Sequence, residues 1–301
     1  MTKTLDPAQL PQPQLHSILL TAVAPRPICF ASTMDAQGRV NLSPFSYFNV
    51  FSSNPPILVF SPARSGRDNS LKHSHENVKE VPEVVINVVN HPIVEQMSLA
   101  STAYAKGVNE FVKAGFTEVK SDLVGPPRVG EAPVAFECKV TDIIELAHTP
   151  GAGNLILCEV LRIHINERYM THNALDTQKL DLVGRMGGSW YTRSSGTSLF
   201  EIPKPIKNLG VGVDALPKSV RESTVLTGNN LGRLGNLEAL PTPEAVAQTA
   251  QREDVKARLE NGMAKGTDVQ TELHLLAQQR LEEGDTELAM AILMYSNTLQ
   301  K

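Results

Sequence analysis

The most informative segment of the chain is Asn41-Leu42-Ser43-Pro44-Phe45-Ser46-Tyr47-Phe48-Asn49, which lies among short runs rich in Val, Ile, Phe and Tyr. Gly, Pro, Asn and Asp separate these runs, a pattern typical of β-strands joined by turns. The predicted strands cover residues 27–34, 45–51, 57–62, 84–89, 134–145 and 155–165. Because the strands mostly do not alternate with helices, the pattern favours an antiparallel barrel over a doubly wound sheet. The predicted fold class is mainly β with helices.

Turn and helix signals lie between the strands. Residues 35–38 form a predicted hairpin turn, in which Gly38 is free to take a positive φ. One helix is predicted over 69–81, because Leu71, Val78 and Val81 share a stripe. A second helix is predicted over 92–100, where Pro92 suits the first turn.

The chain changes character near Pro203 and Pro205, which predicts a barrel domain over 1–203 and a C-terminal helical extension over 204–301. Within the extension, residues 223–236 are too rich in Gly and Asn for the interior of a helix or strand. Caps and stops then predict three helices, from Thr242 to Gly262, from Thr267 to Gly284 and after Asp285.

Composition and missing motifs exclude several classes of function. A net charge of -4 argues against a nucleic-acid-binding face, and no apolar stretch approaches the roughly 20 residues of a membrane span. The three cysteines lack a CxxC spacing and lie in apolar runs, which indicates buried, reduced thiols and a cytoplasmic protein. The histidines have no metal-ligand spacing, so no metal is expected. Residues 210–215 fit a dinucleotide pattern, but prolines break the required strand and helix.

Two polar segments are candidate binding sites. Hydroxyl and amide groups are dense in residues 41–49, where they suit the pyrimidine edge and ribityl chain of a flavin or, equally, a polar hairpin at a barrel edge. Residues 64–74 bring Arg, Lys and Ser to a helix start, which suits a phosphate monoester. The alternative for the second segment is a solvated, capped helix end.

An ordered set of pieces across residues 15–200 carries a family resemblance. The pieces are Arg26-Pro27, residues 43–49, Asn54-Pro55-Pro56, Lys72-His73-Ser74, residues 84–89, Asn109-Glu110-Phe111, Ala114-Gly115-Phe116, Phe136-Glu137-Cys138 and residues 184–191.

This ordered set resembles the flavin reductase-like (flavoredoxin-type) family, which has an FMN-binding split β-barrel, a Greek-key antiparallel barrel. The family helix usually begins Lys-Asp-Thr, whereas this chain has Lys72-His73-Ser74 and keeps the hydroxyl. The resemblance implies a homodimer with FMN at the subunit boundary. It also implies NADH or NADPH as the electron donor and an acceptor protein such as a monooxygenase component.

The resemblance also implies roles for particular side chains. Arg64, Lys72 and Ser74 would hold the FMN phosphate, and Arg26 and Arg185 would lie near the ring or a nicotinamide. The residues that would contact the ring and ribityl chain are Ser32, Thr33, Ser46, Tyr47, Phe48 and Asn49.

Three functions fit these expectations: an NAD(P)H-dependent flavin reductase, a non-enzymatic FMN electron carrier, and an FMN enzyme that acts on a specific organic substrate. The extension either adds buried area only or covers the flavin as a lid.

Overall fold

A computed structural model describes residues 1–202 and 209–299 and divides the chain into two compact units, Met1–Phe200 and Glu201–Lys301. Pro203 and Pro205, where the sequence predicts the domain boundary, lie outside the described residues. No helix in the described ranges is long and apolar enough to cross a membrane.

The first unit combines thirteen strands with five helices. The strands are β1 (Cys29–Met34), β2 (Val40–Phe45), β3 (Phe48–Ser53), β4 (Pro56–Phe60), β5 (Glu83–Val88), β6 (Glu118–Val119), β7 (Arg128–Val129), β8 (Val134–Glu145), β9 (Asn154–Ile165), β10 (Met170–Thr171), β11 (Ala174–Leu175), β12 (Leu182–Arg185) and β13 (Tyr191–Ser194). The helices are α1 (Gln12–Ala22), α2 (His73–Glu80), α3 (Val94–Ala100), α4 (Glu110–Ala114) and α5 (Thr177–Leu180).

Seven strands form one antiparallel sheet in the order β2-β1-β5-β8-β9-β4-β3. β2 and β3 lie at opposite edges, yet only Ser46 and Tyr47 separate them. A flat seven-stranded sheet would hold its edges about 29 Å apart. The step from Phe45 to Phe48 reaches about 11 Å at most. The sheet therefore curls until its edges approach, which confirms the predicted antiparallel barrel.

This arrangement corrects the single strand predicted over 45–51. That segment contains the end of β2, a bend at Ser46 and Tyr47, and most of β3. β2 pairs with β1, whereas β3 pairs with β4, so one continuous strand could not serve both edges. The hairpin turn over 35–38 is confirmed, with Gly38 at a φ of 78°.

Apolar side chains fill one face of the sheet. Phe60, Ile86 and Ile156 are among the fully buried members of this core cluster. The three cysteines belong to the same cluster and are free, which confirms the predicted buried thiols. Burial raises the pKa of Cys138 to about 12, so this thiol stays protonated and unreactive at neutral pH.

Both predicted helices of the first unit begin later than expected. Asn69 takes a left-handed φ of 61° within a tight loop, so α2 starts only at His73. A 3₁₀ turn over His91–Ile93 precedes α3, which starts at Val94. The buried stripe predicted for α3 is confirmed by Met97 and Ala100.

In the described part of the second unit, six α-helices surround a core of their own. They are α6 (Lys218–Arg221), α7 (Gly228–Gly235), α8 (Pro243–Thr249), α9 (Glu253–Lys265), α10 (Val269–Glu282) and α11 (Thr286–Thr298). The starts of α8 after Thr242 and of α11 after Asp285 are confirmed.

Two sequence predictions for this unit are wrong. Residues 228–235 are helical despite their glycines, because Thr227 and Asn230 form a capping box and Leu234 is fully buried. The helix predicted from 243 to 262 is two helices. The Thr249 hydroxyl donates to the Ala245 carbonyl at the end of α8, and the chain is extended at Arg252.

Candidate functional site

The bend between β2 and β3 opens on a cleft of about 310 Å³. Apolar side chains of β2, of α3 and of Ile28, which precedes β1, form part of its wall, and serine hydroxyls, one tyrosine and one arginine form the rest. The lining residues are Ile28, Pro44, Phe45, Ser46, Met97, Ser98, Ser101, Arg185, Ser189 and Tyr191. The cleft therefore combines an apolar surface with hydrogen-bond donors and a positive charge, which suits a flat, polar-edged ligand.

Arg185 holds its place in the cleft through both backbone and side chain. Its N–H donates to the Arg26 carbonyl at 2.8 Å, and its Nη2 donates to the Gly188 carbonyl at 2.7 Å. The guanidinium lies 4.5 Å from the centre of the Tyr191 ring. β12, β13 and the loop between them thus fix a cation at the cleft wall.

Arg26 lies behind the cleft rather than on its wall, with 6 % of its surface exposed. Burial lowers the pKa of Arg26 from its ordinary value, Tyr47 partly offsets this, and the nearby Arg185 lowers the pKa further. An arginine remains protonated in proteins despite such shifts, so two positive charges lie at this end of the barrel.

A second polar group joins β1 and β2 to α2. Asn41 Nδ2 donates to Ser74 Oγ at 2.9 Å, and Asn77 Nδ2 donates to Thr33 Oγ1 at 3.2 Å. All four side chains are buried, as is Ser32, whose Oγ has no hydrogen-bond partner among the described residues. A buried hydroxyl without a partner is costly, so a bound polar group would stabilise this position.

The start of α2 is the predicted phosphate site. Lys72 is the exposed residue that precedes the helix, and no side chain caps the first turn. The first amides of a helix have no partner within the helix, and they attract anions. Lys72 and Ser74 thus lie where a phosphate would be favourable.

Arg64 belongs to a different group of charges. Its guanidinium donates to the Asn69 carbonyl at 3.3 Å, lies 3.3 Å from His148 Nδ1 and is 3.6 Å from a Glu145 oxygen. Lys79 donates to the same carboxylate, which together with nearby histidines lowers the pKa of Glu145. The structure therefore pairs the Arg64 guanidinium with Glu145, His148 and the Asn69 carbonyl.

The remaining predicted ring contacts lie outside the cleft lining. Tyr47 is 37 % exposed, Phe48 packs against the barrel core, and Asn49 Oδ1 accepts a hydrogen bond from the Val50 amide. The structure thus brings Ser46 and Arg185 together in one cleft, and holds Ser74 and Thr33 in a buried polar group through Asn41 and Asn77.

Sequence reasoning missed several polar side chains. Ser98 and Ser101 are three residues apart at the end of α3, a spacing that puts both hydroxyls on one side. Asn41 and Asn77 hold the buried hydroxyls of Ser74 and Thr33. The spacing of the two serines could have indicated a polar site, but only the apolar stripe of this helix was interpreted from the sequence.

Among the described residues, one cluster has the composition of a metal site: Asp122, Glu137 and His164. His164 Nε2 lies 2.6 Å from Glu137 Oε1, and Arg162 binds the Asp122 carboxylate at 2.7 Å. The amides of Asp122 and Leu123 donate to Glu137 as well. These groups already form a hydrogen-bond network.

Comparisons with known proteins agree with this geometry. Residues 22–178 match the family described as flavin reductase like domain. An uncharacterized protein of Aquifex aeolicus is 35 % identical over 183 residues, which are 60 % of this chain and 91 % of that protein.

Solved structures share the fold of the first unit. Nitrilotriacetate monooxygenase component B from Bacillus cereus is 24 % identical with a TM-score of 0.63, covering 67 % of this chain and 99 % of that chain. A split-barrel protein of Shewanella frigidimarina is 22 % identical with a TM-score of 0.56, covering 66 % of this chain and 96 % of that chain. The barrel built by β1–β5, β8 and β9 is thus a split barrel, and because the family match spans half of the chain, this protein belongs to the flavin reductase-like family.

Proposed function

We propose that the chain binds FMN where β2 bends into β3, and that it passes electrons from NADH or NADPH to an acceptor. The supporting observation is the bend at Ser46 and Tyr47, which joins opposite edges of the sheet and opens on a cleft containing Arg185. A bound flavin supplies the redox chemistry itself, so no side chain needs to act as an acid or base.

The protein's part is to hold and polarise the cofactor. Arg185 offers a positive charge on the cleft wall, which would stabilise the negative charge of a reduced flavin ring bound there, and Ser46 offers a hydroxyl on the same wall. The buried Ser32 hydroxyl without a protein partner fits a ligand that brings its own polar atoms. Thr33, Tyr47, Phe48 and Asn49 remain proposed neighbours of the ring and ribityl chain.

For the phosphate, we propose the start of α2, with Lys72 and Ser74 as ligands. Ser74 Oγ accepts from Asn41, so its own proton is available for a phosphate oxygen. Arg64 remains a proposed third ligand. To reach the phosphate it would have to leave Glu145, so its contribution should be smaller than that of Lys72.

A homodimer is part of the proposal. Leu58, Phe60 and Ile156 fill the barrel's own core and therefore do not require a partner. Phe51 and Ile163, however, are 69 % and 54 % exposed on β3 and β9. Large exposed apolar side chains on strands favour burial against a second copy of the barrel.

Two alternative functions would use the same flavin site: an FMN electron carrier, and an enzyme that converts an organic substrate. For the acceptor we propose a monooxygenase component, on the similarity to the monooxygenase component B of Bacillus cereus.

Anaerobic titration of the FMN-loaded protein with NADH and with NADPH tests the proposal. A reductase predicts that one nicotinamide bleaches the bound flavin within the time of catalytic turnover. Bleaching by dithionite but by neither nicotinamide would refute the reductase and favour the carrier. Turnover only when an organic substrate is added would favour the third function.

A further inference from the structure

Arg26 is a buried cation whose hydrogen bonds connect three parts of the first unit. Nη1 donates to the carbonyls of Leu20 and Val23 at the end of α1. Nη2 donates to the Met186 carbonyl at 3.1 Å, and Nε donates to Ser46 Oγ at 3.4 Å. Four acceptors thus share the five N–H groups of one guanidinium.

The bond to Ser46 fixes the polarity of that hydroxyl. Because Arg26 is the donor, Ser46 Oγ is the acceptor, and the hydroxyl proton is left for another partner. Ser46 Oγ donates to no acceptor among the described residues, and Ser46 lines the cleft. A hydroxyl that accepts from a cation is also a stronger donor than a free serine.

The two arginines therefore differ in role. Arg185 lines the cleft itself, whereas Arg26 lies behind Ser46 with its donors directed at protein oxygens. The backbones of the two residues exchange hydrogen bonds, at 3.0 Å and 2.8 Å, which fixes the two positions side by side.

We propose that Arg26 is a positioning residue, which holds the Ser46 hydroxyl so that its proton points at a hydrogen-bond-accepting atom of the bound flavin. The proposal rests on the flavin site proposed above. The flavin atom that contacts Ser46 must then be a hydrogen-bond acceptor, such as an unprotonated ring nitrogen or a carbonyl oxygen, and not a donor.

A double-mutant cycle on FMN binding tests this role in the full chain. Ser46→Ala should weaken FMN binding roughly tenfold or more, because it removes a charge-assisted donor. Arg26→Lys should cause a similar loss, since an ammonium cannot serve all four acceptors. If Arg26 acts through Ser46, the double variant should bind no more weakly than the weaker single variant.

Rescue separates positioning from a purely structural role. Ser46→Thr keeps the hydroxyl and should therefore bind FMN with an affinity within about threefold of the wild type, the size of effect expected when the hydrogen bond is retained. Arg39→Lys is the matched control, because Arg39 is bound to Asp35 in the hairpin turn, outside the site. It should bind FMN as the wild type does.

Losses that add up in the double variant would overturn the proposal, as would a Ser46→Thr variant as weak as Ser46→Ala. If Arg26→Lys fails to fold, the variants Ser46→Ala and Ser46→Thr still test the proposal. Unchanged FMN affinity in Ser46→Ala would refute a hydrogen-bond donor at this position. Failure of the wild type to bind FMN at all would refute the proposed function, and this inference with it.

Discussion

Replacing Lys72 with Ala should separate binding of the FMN phosphate from binding of the flavin ring. Lys72 precedes α2 and is exposed, and its side chain makes no cap hydrogen bond to the first turn of α2. A charge-assisted hydrogen bond contributes about 1.5–3 kcal/mol, and exposure to solvent places Lys72 near the lower limit. FMN affinity should therefore fall about tenfold, since about 1.4 kcal/mol corresponds to that factor.

Riboflavin is the control ligand, because it has the ring and ribityl chain without the phosphate. Its affinity should hardly change in the Lys72→Ala variant, as measured by quenching of flavin fluorescence on titration. Lys113→Ala is the control variant, because this lysine of α4 lies over the Tyr104 ring and is not among the proposed phosphate ligands. Equal losses for FMN and riboflavin would refute the phosphate site at the start of α2.

Three further predictions concern stability and assembly. Glu137→Gln should cost about 1.5–3 kcal/mol in the free energy of unfolding by urea, because two amides and His164 bond this buried carboxylate. Burial alone would raise the pKa of Glu137, but these hydrogen bonds lower it on balance. The ionised carboxylate therefore stabilises the fold at pH values above its pKa in the unfolded chain, near 4.5. The wild type should lose this stability advantage over Glu137→Gln as the pH falls below about 4.5. Gly232→Ala should stabilise the second unit by about 0.5–1 kcal/mol in thermal unfolding, because nothing lies within 4 Å of the added Cβ on α7, and a loss of stability would contradict this. The wild type should be a dimer by light scattering and Phe51→Glu a monomer; a flavin-loaded wild-type monomer would refute the dimer.

Most strands of the barrel could be predicted from the sequence, because runs rich in β-branched and aromatic residues, bounded by turn residues, indicate strands directly. Strand β8 was predicted at its observed limits, and β9 to within one residue. The bend at Ser46 could not be predicted, because it depends on which strands pair. That pairing is a property of the whole sheet rather than of residues 41–49.

The side chains that meet at the candidate site were harder to predict from the sequence than the strands. Ser46 and Arg185 are 139 positions apart in the chain. The density of hydroxyl and amide groups in residues 41–49 indicated the segment around Ser46, whereas only the family resemblance indicated Arg185. Arg64 was assigned by its place before α2, but Glu145 on β8 competes for it, and nothing near residue 64 signals that carboxylate. In the second unit, burial of Leu234 outweighed the low helix propensity of three glycines in α7.

A crystal structure of the full chain soaked with FMN would show whether the flavin binds where β2 bends into β3. We expect the flavin ring in the cleft beside Ser46 and Arg185, with Ser46 Oγ within hydrogen-bond distance of a flavin nitrogen or carbonyl oxygen. We also expect the phosphate at the start of α2, beside Lys72 and Ser74. A flavin bound elsewhere, with that cleft empty, would refute the proposed site.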